Sequence, residues 1–99
     1  MSNKTEKIYE GVIVTEDEYV SLIHLCHNCN HSEEEIIELV EEGILEPVGG
    51  TRQEWHFHYR AISRIKKVRR LQRDFELDLN ATGLIIHLLD RIEELESKF

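Results

Sequence analysis

The segment that most constrains the fold is residues 32–47, SEEEIIELVEEGILEP. At 100° per residue its apolar side chains share one arc of a helix and its glutamates share the opposite arc. Ser32 with Glu35 has the form of a capping box, and Gly43 suits the left-handed residue that ends a helix. The sequence therefore predicts an amphipathic helix from Ser32 to Gly43. Its inward face would consist of Ile36, Ile37, Leu39 and Val40.

Charge is divided unevenly along the chain, although the formal net charge is −8. Residues 32–47 hold seven glutamates and no basic residue, whereas residues 60–73 hold seven of the twelve lysines and arginines and no acid. A charge run most often marks a solvated helix face, but it also steers charged partners and repels wrong ones.

A short helix is predicted before the acidic one, from about Leu22 to Asn28. Ser21 is one candidate cap, and Thr15 with Glu18 is an alternative capping box that the sequence leaves open. Asn30 suits a left-handed turn residue. The short helix, the turn and the acidic helix together have the order of a helix-turn-helix.

A small β-hairpin wing is expected next. Ile44 and Leu45 can start a strand, and the Gly49-Gly50 pair supplies turn chemistry. Residues 54–58, EWHFH, alternate in the manner of a returning strand. Trp55 and Phe57 would then point inward.

Two longer helices are predicted to complete the fold, one from about Tyr59 to Phe75 and one from about Asn80 onward. The inner face of the first would hold Ala61, Ile62, Ile65, Val68, Leu71 and Phe75. Its outer face would hold Lys66, Lys67, Arg70 and Arg73. The last helix narrows to a heptad-like seam, which predicts a homodimer that pairs through these residues: Ile85, Leu88, Ile92, Leu95 and Phe99.

The length of 99 residues fits one domain. We expect a flexible polar N-terminal extension over residues 1–11 and a single domain over residues 12–99. No apolar run approaches the roughly 20 residues of a membrane helix. Two cysteines and the absence of an apolar leader favour a reducing cytoplasm. The expected class is a mostly helical winged helix-turn-helix.

These elements resemble the MerR superfamily, and within it the CbpM-type chaperone modulators. The resemblance covers roughly residues 19–96, and its most specific part is residues 77–92, LDLNATGLIIHLLDRI. Shorter matches are SEEE at residues 32–35, EEGILEP at 41–47, WHF at 55–57 and LQRD at 71–74. Departures are the N-terminal extension, Asn30 in place of the usual glycine and the basic third helix.

The resemblance implies a regulatory protein that binds the J-domain of a CbpA/DnaJ-like co-chaperone. Such modulators block use of the co-chaperone by its DnaK-type ATPase and suppress its binding to DNA. A J-domain presents a basic helix, which an acidic surface suits. Two acidic sets remain open as that surface. They are Glu34, Glu38, Glu41 and Glu42 of the second helix, and Asp90, Glu93 and Glu94 of the last helix.

The alternative function is a MerR-like DNA-binding transcriptional regulator. In DNA-binding relatives, the positions of Ile37, Glu38 and Leu39 carry an arginine and tyrosines that approach DNA. Glutamates on that helix repel phosphates, which makes nucleic acid an unlikely partner. The basic third helix is the remaining candidate for DNA contact.

Metal binding and catalysis have less support. Cysteines and histidines crowd one short stretch, but the chain has no second cysteine pair to complete a zinc site. No phosphate-binding glycine loop or nucleophile elbow is present. We therefore predict no metal, no cofactor and no enzymatic activity. The residues considered as ligands are His24, Cys26, His27, Cys29, His31, His56 and His58.

Overall fold

The computed structural model describes residues 6–9, 11–15 and 17–98. Within them the chain is mostly helical, which confirms the predicted fold class. The strands are β1 (Glu6–Tyr9), β2 (Val12–Thr15), β3 (Tyr19–Ser21) and β4 (His56–His58). The α-helices are α1 (Leu22–Cys29), α2 (Glu33–Glu41), α3 (Arg60–Phe75) and α4 (Leu79–Glu96), and a short 3₁₀ turn covers Arg52–Glu54.

The helix-turn-helix of α1 and α2 is held by its caps. The Ser21 hydroxyl accepts from the His24 backbone N–H at 3.2 Å, so Ser21 caps α1. Asn30 has φ 55° and turns the chain, as predicted. Ser32 and Glu35 form both bonds of the predicted capping box at the start of α2. Short polar side chains in these local sequence patterns therefore set where both helices begin.

The predicted strand at Ile44 and Leu45 is wrong. Gly43 has φ 73°, and its N–H donates to the Val40 carbonyl at 3.0 Å. The N–H groups of Ile44 and Leu45 both donate to the Leu39 carbonyl, at 2.9 and 3.3 Å. These backbone groups close the end of α2 and are not available to a strand ladder. Ile44 and Leu45 instead enter the core.

The wing is shorter than predicted. Its two sides meet only where Val48 and His56 exchange backbone hydrogen bonds of 2.8 and 2.9 Å. Glu54 ends the 3₁₀ turn, so the returning strand begins at His56. The main partner of β4 is β3, with Val20 opposite Phe57 in an antiparallel pair. Phe57 is buried as predicted, whereas Trp55 is half-buried at the edge of the core.

One hydrophobic core joins α1, α2, β4, α3 and α4. Its buried members are Leu22, Leu25, Ile36, Leu39, Ile44, Leu45, Phe57, Ala61, Ile65, Val68 and Ile86. The contribution of α3 to the core ends at the half-buried Leu71. Phe75, predicted to face inward, is 67% exposed because it lies one turn beyond that point.

An additional hairpin precedes the helix-turn-helix. β1 and β2 pair antiparallel with Ile8 opposite Ile13, and Gly11 in their connection has φ 81°. The extension expected over residues 1–11 therefore contains a strand at Glu6–Tyr9. Residues 1–5 lie outside the described residues, and the domain boundary at residue 11 stays a prediction.

Candidate protein-binding surface

The outer face of α2 is acidic and solvent-exposed. Glu34, Glu38 and Glu41 are spaced by four and three residues and are all exposed. None of the three forms a salt bridge with the described residues. Residues at these spacings are neighbours on a helix, so their like charges repel weakly and leave an uncompensated negative surface. We call Glu34, Glu38 and Glu41 the acidic face.

Glu42, the fourth predicted acid of α2, is engaged within the fold. It is half-buried, and when the Asn80 amide is oriented according to its hydrogen-bond partners, its side-chain nitrogen donates to the two carboxylate oxygens of Glu42 at 2.9 and 2.8 Å. This contact joins the end of α2 to the first turn of α4. Glu42 is therefore less available to a partner than the acidic face.

Glu35 lies on the other flank of α2 and is tied to the turn and to α3. Its carboxylate is 2.8 Å from His31 Nδ1 and 3.5 Å from an Arg69 guanidinium nitrogen. The hydrogen bond from His31, followed by that from the Ser32 backbone, lowers the pKa of Glu35. Arg69 Nε also donates to His31 Nε2 at 3.4 Å, so a neutral ring with its proton on Nδ1 satisfies both contacts.

Asp90, predicted as a partner-binding residue of α4, forms a bidentate salt bridge with Arg64. The two guanidinium nitrogens lie 2.9 and 2.6 Å from its two oxygens. The hydrogen bonds and charge of Arg64 lower the pKa of Asp90 despite partial burial, and Asp90 in turn raises the pKa of Arg64. Arg64 Nε also donates to the Ile44 carbonyl at 2.6 Å. Asp90 thus serves to fasten α4 to α3 and to the end of α2.

The remaining acids of the α4 set are exposed. Glu94 is 3.1 Å from Arg91 and 3.9 Å from Lys98, so its charge is balanced locally. Glu93 is exposed and forms no salt bridge with the described residues. Of the two predicted acidic sets, only the α2 set therefore presents a row of three exposed carboxylates that form no salt bridge with the described residues.

The basic residues of α3 divide into two groups. Arg64 and Arg69 turn toward the fold, where they bind the partners described above. The predicted outward residues are all exposed, and they are Lys66, Lys67, Arg70 and Arg73. Of these, Arg73 pairs with its neighbour Asp74 at 3.2 Å. α3 therefore presents a basic surface separate from the acidic face.

The cysteine and histidine residues do not converge in the part of the chain that the structure describes. No group of three histidine, cysteine or carboxylate side chains there is placed to hold a metal ion. Cys26 and Cys29 are half-buried free thiols, and burial is the main reason that the pKa of each is raised. His31 and His56 instead bind Glu35 and the Glu54 carbonyl, respectively.

The predicted dimer seam forms an exposed apolar strip on α4. Leu88, Ile92 and Leu95 are 55%, 50% and 41% exposed. Ile85 is half-buried, whereas Leu84, which the heptad pattern omitted, is 62% exposed and lies on the same side as Leu88. Phe99 lies outside the described residues. Among the helices described, none is long and apolar enough to cross a membrane.

The helix-turn-helix and the short wing define a class, that of MerR-type helix-turn-helix proteins, and in this chain the second helix is acidic. A family model described as MerR HTH family regulatory protein matches residues 20–99. A relative from Pseudomonas entomophila is 36% identical over 74 residues, which cover 75% of this chain and 73% of the relative.

A second relative, from Coxiella burnetii strain Dugway, is 30% identical over 94 residues, which cover 95% of this chain and 89% of the relative. Both relatives carry the name chaperone modulatory protein CbpM. The chain belongs to the CbpM family within the MerR helix-turn-helix proteins. This membership confirms the resemblance found in the sequence.

Proposed function

We propose that this chain is a chaperone modulator that binds the J-domain of a CbpA/DnaJ-like co-chaperone and inhibits its co-chaperone and DNA-binding activities. The names of the relatives support a chaperone-modulating role. The proposed role is binding without catalysis. The free thiols Cys26 and Cys29 agree with a setting in the reducing cytoplasm.

The observation that carries the proposal is the acidic face of α2. Glu34, Glu38 and Glu41 form a row of exposed carboxylates that no described basic side chain neutralises. A basic helix of a J-domain complements such a row. Charge complementarity speeds the association of the two proteins and orients them relative to each other. The alternative set on α4 is less suitable because Asp90 is already bound by Arg64.

The proposed inhibition of the co-chaperone results from covering the basic helix of its J-domain. If the basic helix of the J-domain lies against α2, its lysines and arginines are covered and cannot contact the ATPase at the same time. Both activities of the co-chaperone would then fall together as modulator is added, since a cationic surface that is covered can contact neither the ATPase nor phosphates.

Charge reversal of the acidic face tests the proposed surface. We expect the triple variant Glu34→Lys, Glu38→Lys and Glu41→Lys to bind the full-length co-chaperone more than about tenfold more weakly, since attraction becomes repulsion. Its affinity should also depend less steeply on salt. Isothermal titration calorimetry at two ionic strengths measures both effects.

The matched control reverses two acids of α4, Glu93→Lys and Glu94→Lys. These residues are also exposed, so the control changes net charge without touching α2. We expect it to retain binding within about threefold. Loss of binding in this control but not in the α2 triple variant would move the surface to α4, and unchanged binding in both would refute an electrostatic interface.

DNA binding is the second candidate function, and the exposed basic surface of α3 favours it. Lys66, Lys67 and Arg70 are exposed without salt bridges to the described residues. A phosphate-binding role predicts duplex affinity that falls steeply with salt and is lost in Lys66→Glu with Arg70→Glu. Sub-micromolar duplex binding at physiological salt would favour this function over the proposed one.

A further inference from the structure

A groove adjoins the acidic face, between the start of α1, the start of α2 and the 3₁₀ turn. Its lining residues are Ser21, Leu22, Ile23, Glu33, Ile37, Arg52, Gln53 and Trp55. The groove has a volume of about 520 Å³, which is within the range of clefts that hold ligand groups. Three of its large apolar side chains are accessible, since Ile23 is 62% exposed and Ile37 and Trp55 are half-buried.

Ile37 connects the groove to the charge on α2. Glu33 and Glu34 precede Ile37 by four and three residues, and Glu41 follows it by four. Side chains at these spacings are neighbours on a helix surface. Ile37 is therefore flanked by three carboxylates on α2 and faces Ile23 and Trp55 across the groove. An apolar site with an anionic border results.

We propose that this groove is the anchoring site of the co-chaperone, and that it receives the apolar ridge of a cationic amphipathic helix. The inference rests on the proposed function and adds the apolar half of the interface. An amphipathic helix fits because it carries apolar residues at three- and four-residue spacing beside a charged edge. The anionic border selects a helix whose adjoining edge is lysine and arginine.

The two borders of the groove differ in charge, which orients the bound helix. Glu33 and Glu34 lie on the α2 side, whereas Arg52 lies on the side of the 3₁₀ turn. The cationic edge of the partner therefore lies over α2, and its neutral or acidic edge lies toward Arg52. Apolar contacts with Ile23, Ile37 and Trp55 slow dissociation, while the carboxylates set the association rate and the salt dependence.

Ile23→Gln tests the groove. The side chain is 62% exposed, so the fold does not depend on it, and a thermal melt followed by circular dichroism checks this. We expect its affinity for the full-length DnaJ-like co-chaperone to fall about tenfold with an unchanged salt dependence, since no charge is altered. The control is Phe75→Gln at the end of α3, where the side chain is 67% exposed and outside the groove. The control should bind as the wild type does.

Trp55 provides a direct readout because it is the chain's only tryptophan. Titration with a co-chaperone whose tryptophans are replaced by phenylalanine should shift Trp55 emission to shorter wavelength and reduce its quenching by acrylamide. Binding detected by calorimetry without any change in Trp55 emission or quenching would overturn the groove as the anchoring site. Equal affinities of Ile23→Gln and Phe75→Gln would do the same.

These outcomes separate the inference from the proposed function. If the wild type binds and the α2 charge reversal weakens binding while Ile23→Gln does not, the acidic face stands and the groove is wrong. If the wild type does not bind the co-chaperone at all, the proposed function fails and the groove inference fails with it.

Discussion

Arg64 shows how a residue in a charge run acquires a structural role. Its guanidinium joins three elements, because it binds Asp90 of α4 and the Ile44 carbonyl after α2 from its own place on α3. The neighbouring Lys67 and Arg60 are exposed instead. The sequence identifies the run and its sign, but a contact between residues 26 positions apart depends on the tertiary packing of α3 against α4.

Asp90→Asn should lower the free energy of unfolding by about 1 kcal/mol at neutral pH, the upper end for a pair that is partly exposed to solvent. The variant loses the charge that Arg64 binds in bidentate geometry at 2.9 and 2.6 Å. Asp74→Asn is the control, because its partner Arg73 is 74% exposed, and it should change stability by less than about 0.5 kcal/mol. Urea denaturation measures both, and equal effects would contradict a stabilising role for the Arg64 pair.

The contribution of Asp90 should depend on pH in a defined direction. Its pKa is lowered in the folded state, mainly by the hydrogen bonds from Arg64. A carboxyl group with a lowered folded pKa stabilises fully above its unfolded pKa and loses that effect as pH falls through the folded value. The difference between wild type and Asp90→Asn should therefore be constant from pH 7 to about pH 5 and shrink below about pH 4. A difference that grows on acidification would contradict this assignment.

At the scale of elements, the sequence best predicted the features that depend on neighbouring residues, which are helix caps and turns. The cap at Ser32 and the left-handed turns at Asn30 and Gly43 were readable from local patterns, and the structure contains each of them. For α1 the local patterns left two caps open, and the structure contains the one at Ser21. The partner of β4 was not readable in this way. It is β3, which precedes both helices in the sequence, so the pairing depends on how the helix-turn-helix folds back.

The apolar pattern gave a wrong prediction of secondary structure where backbone hydrogen bonds fix the conformation of the chain. Ile44 and Leu45 have the side chains of a buried strand and are buried, yet their N–H groups close α2. The β1–β2 hairpin was not predicted, because the sequence around it is mostly polar. Its only local signs are Gly11, which suits a turn, and the short apolar stretch that follows it.

Ser32→Ala should destabilise the fold by about 1 kcal/mol, because the Glu35 backbone N–H loses the Ser32 hydroxyl that accepts from it, while the bond from the Ser32 N–H to the Glu35 carboxylate remains. Ser63→Ala on the exposed side of α3 is the control. Among the described residues its hydroxyl bonds only to the Arg60 carbonyl of its own helix, so the variant should change stability by less than about 0.5 kcal/mol. Thermal unfolding followed at 222 nm compares the two, and a loss no larger for Ser32→Ala would argue against the cap as a determinant of α2.

For the whole molecule, the main feature is that opposite charges occupy separate surfaces. The sequence predicted the sign of each surface, since the acidic run lies on α2 and the basic run on α3. It did not predict which acids are free, because Glu42 and Asp90 are bound by residues distant in sequence, and Glu35, besides its local capping box, also contacts Arg69. The groove was also hidden, since Ile23, Ile37 and Trp55 come from three separate segments.

The exposed strip on α4 leads to a prediction about assembly, and we propose that two chains pair through it. Leu88 and Ile92 are 55% and 50% exposed at a four-residue spacing, and Leu84 extends the strip toward the start of the helix. Covering such a row of apolar side chains with a second copy of the chain removes them from water, which stabilises the dimer. Analytical ultracentrifugation of the wild type should therefore give the mass of a dimer.

Leu88→Gln combined with Ile92→Gln should shift the chain to monomer without unfolding it, because both side chains are already largely exposed in the single chain. Ile23→Gln is the matched control: it also removes an exposed isoleucine, but on α1, and it should remain dimeric. The two variants should thus have opposite phenotypes, since one loses self-association and the other binds the co-chaperone about tenfold more weakly. A monomeric wild type at high micromolar concentration, or a double variant that stays dimeric, would exclude the strip as the dimer interface and leave the proposed partner-binding surface on α2 unaffected.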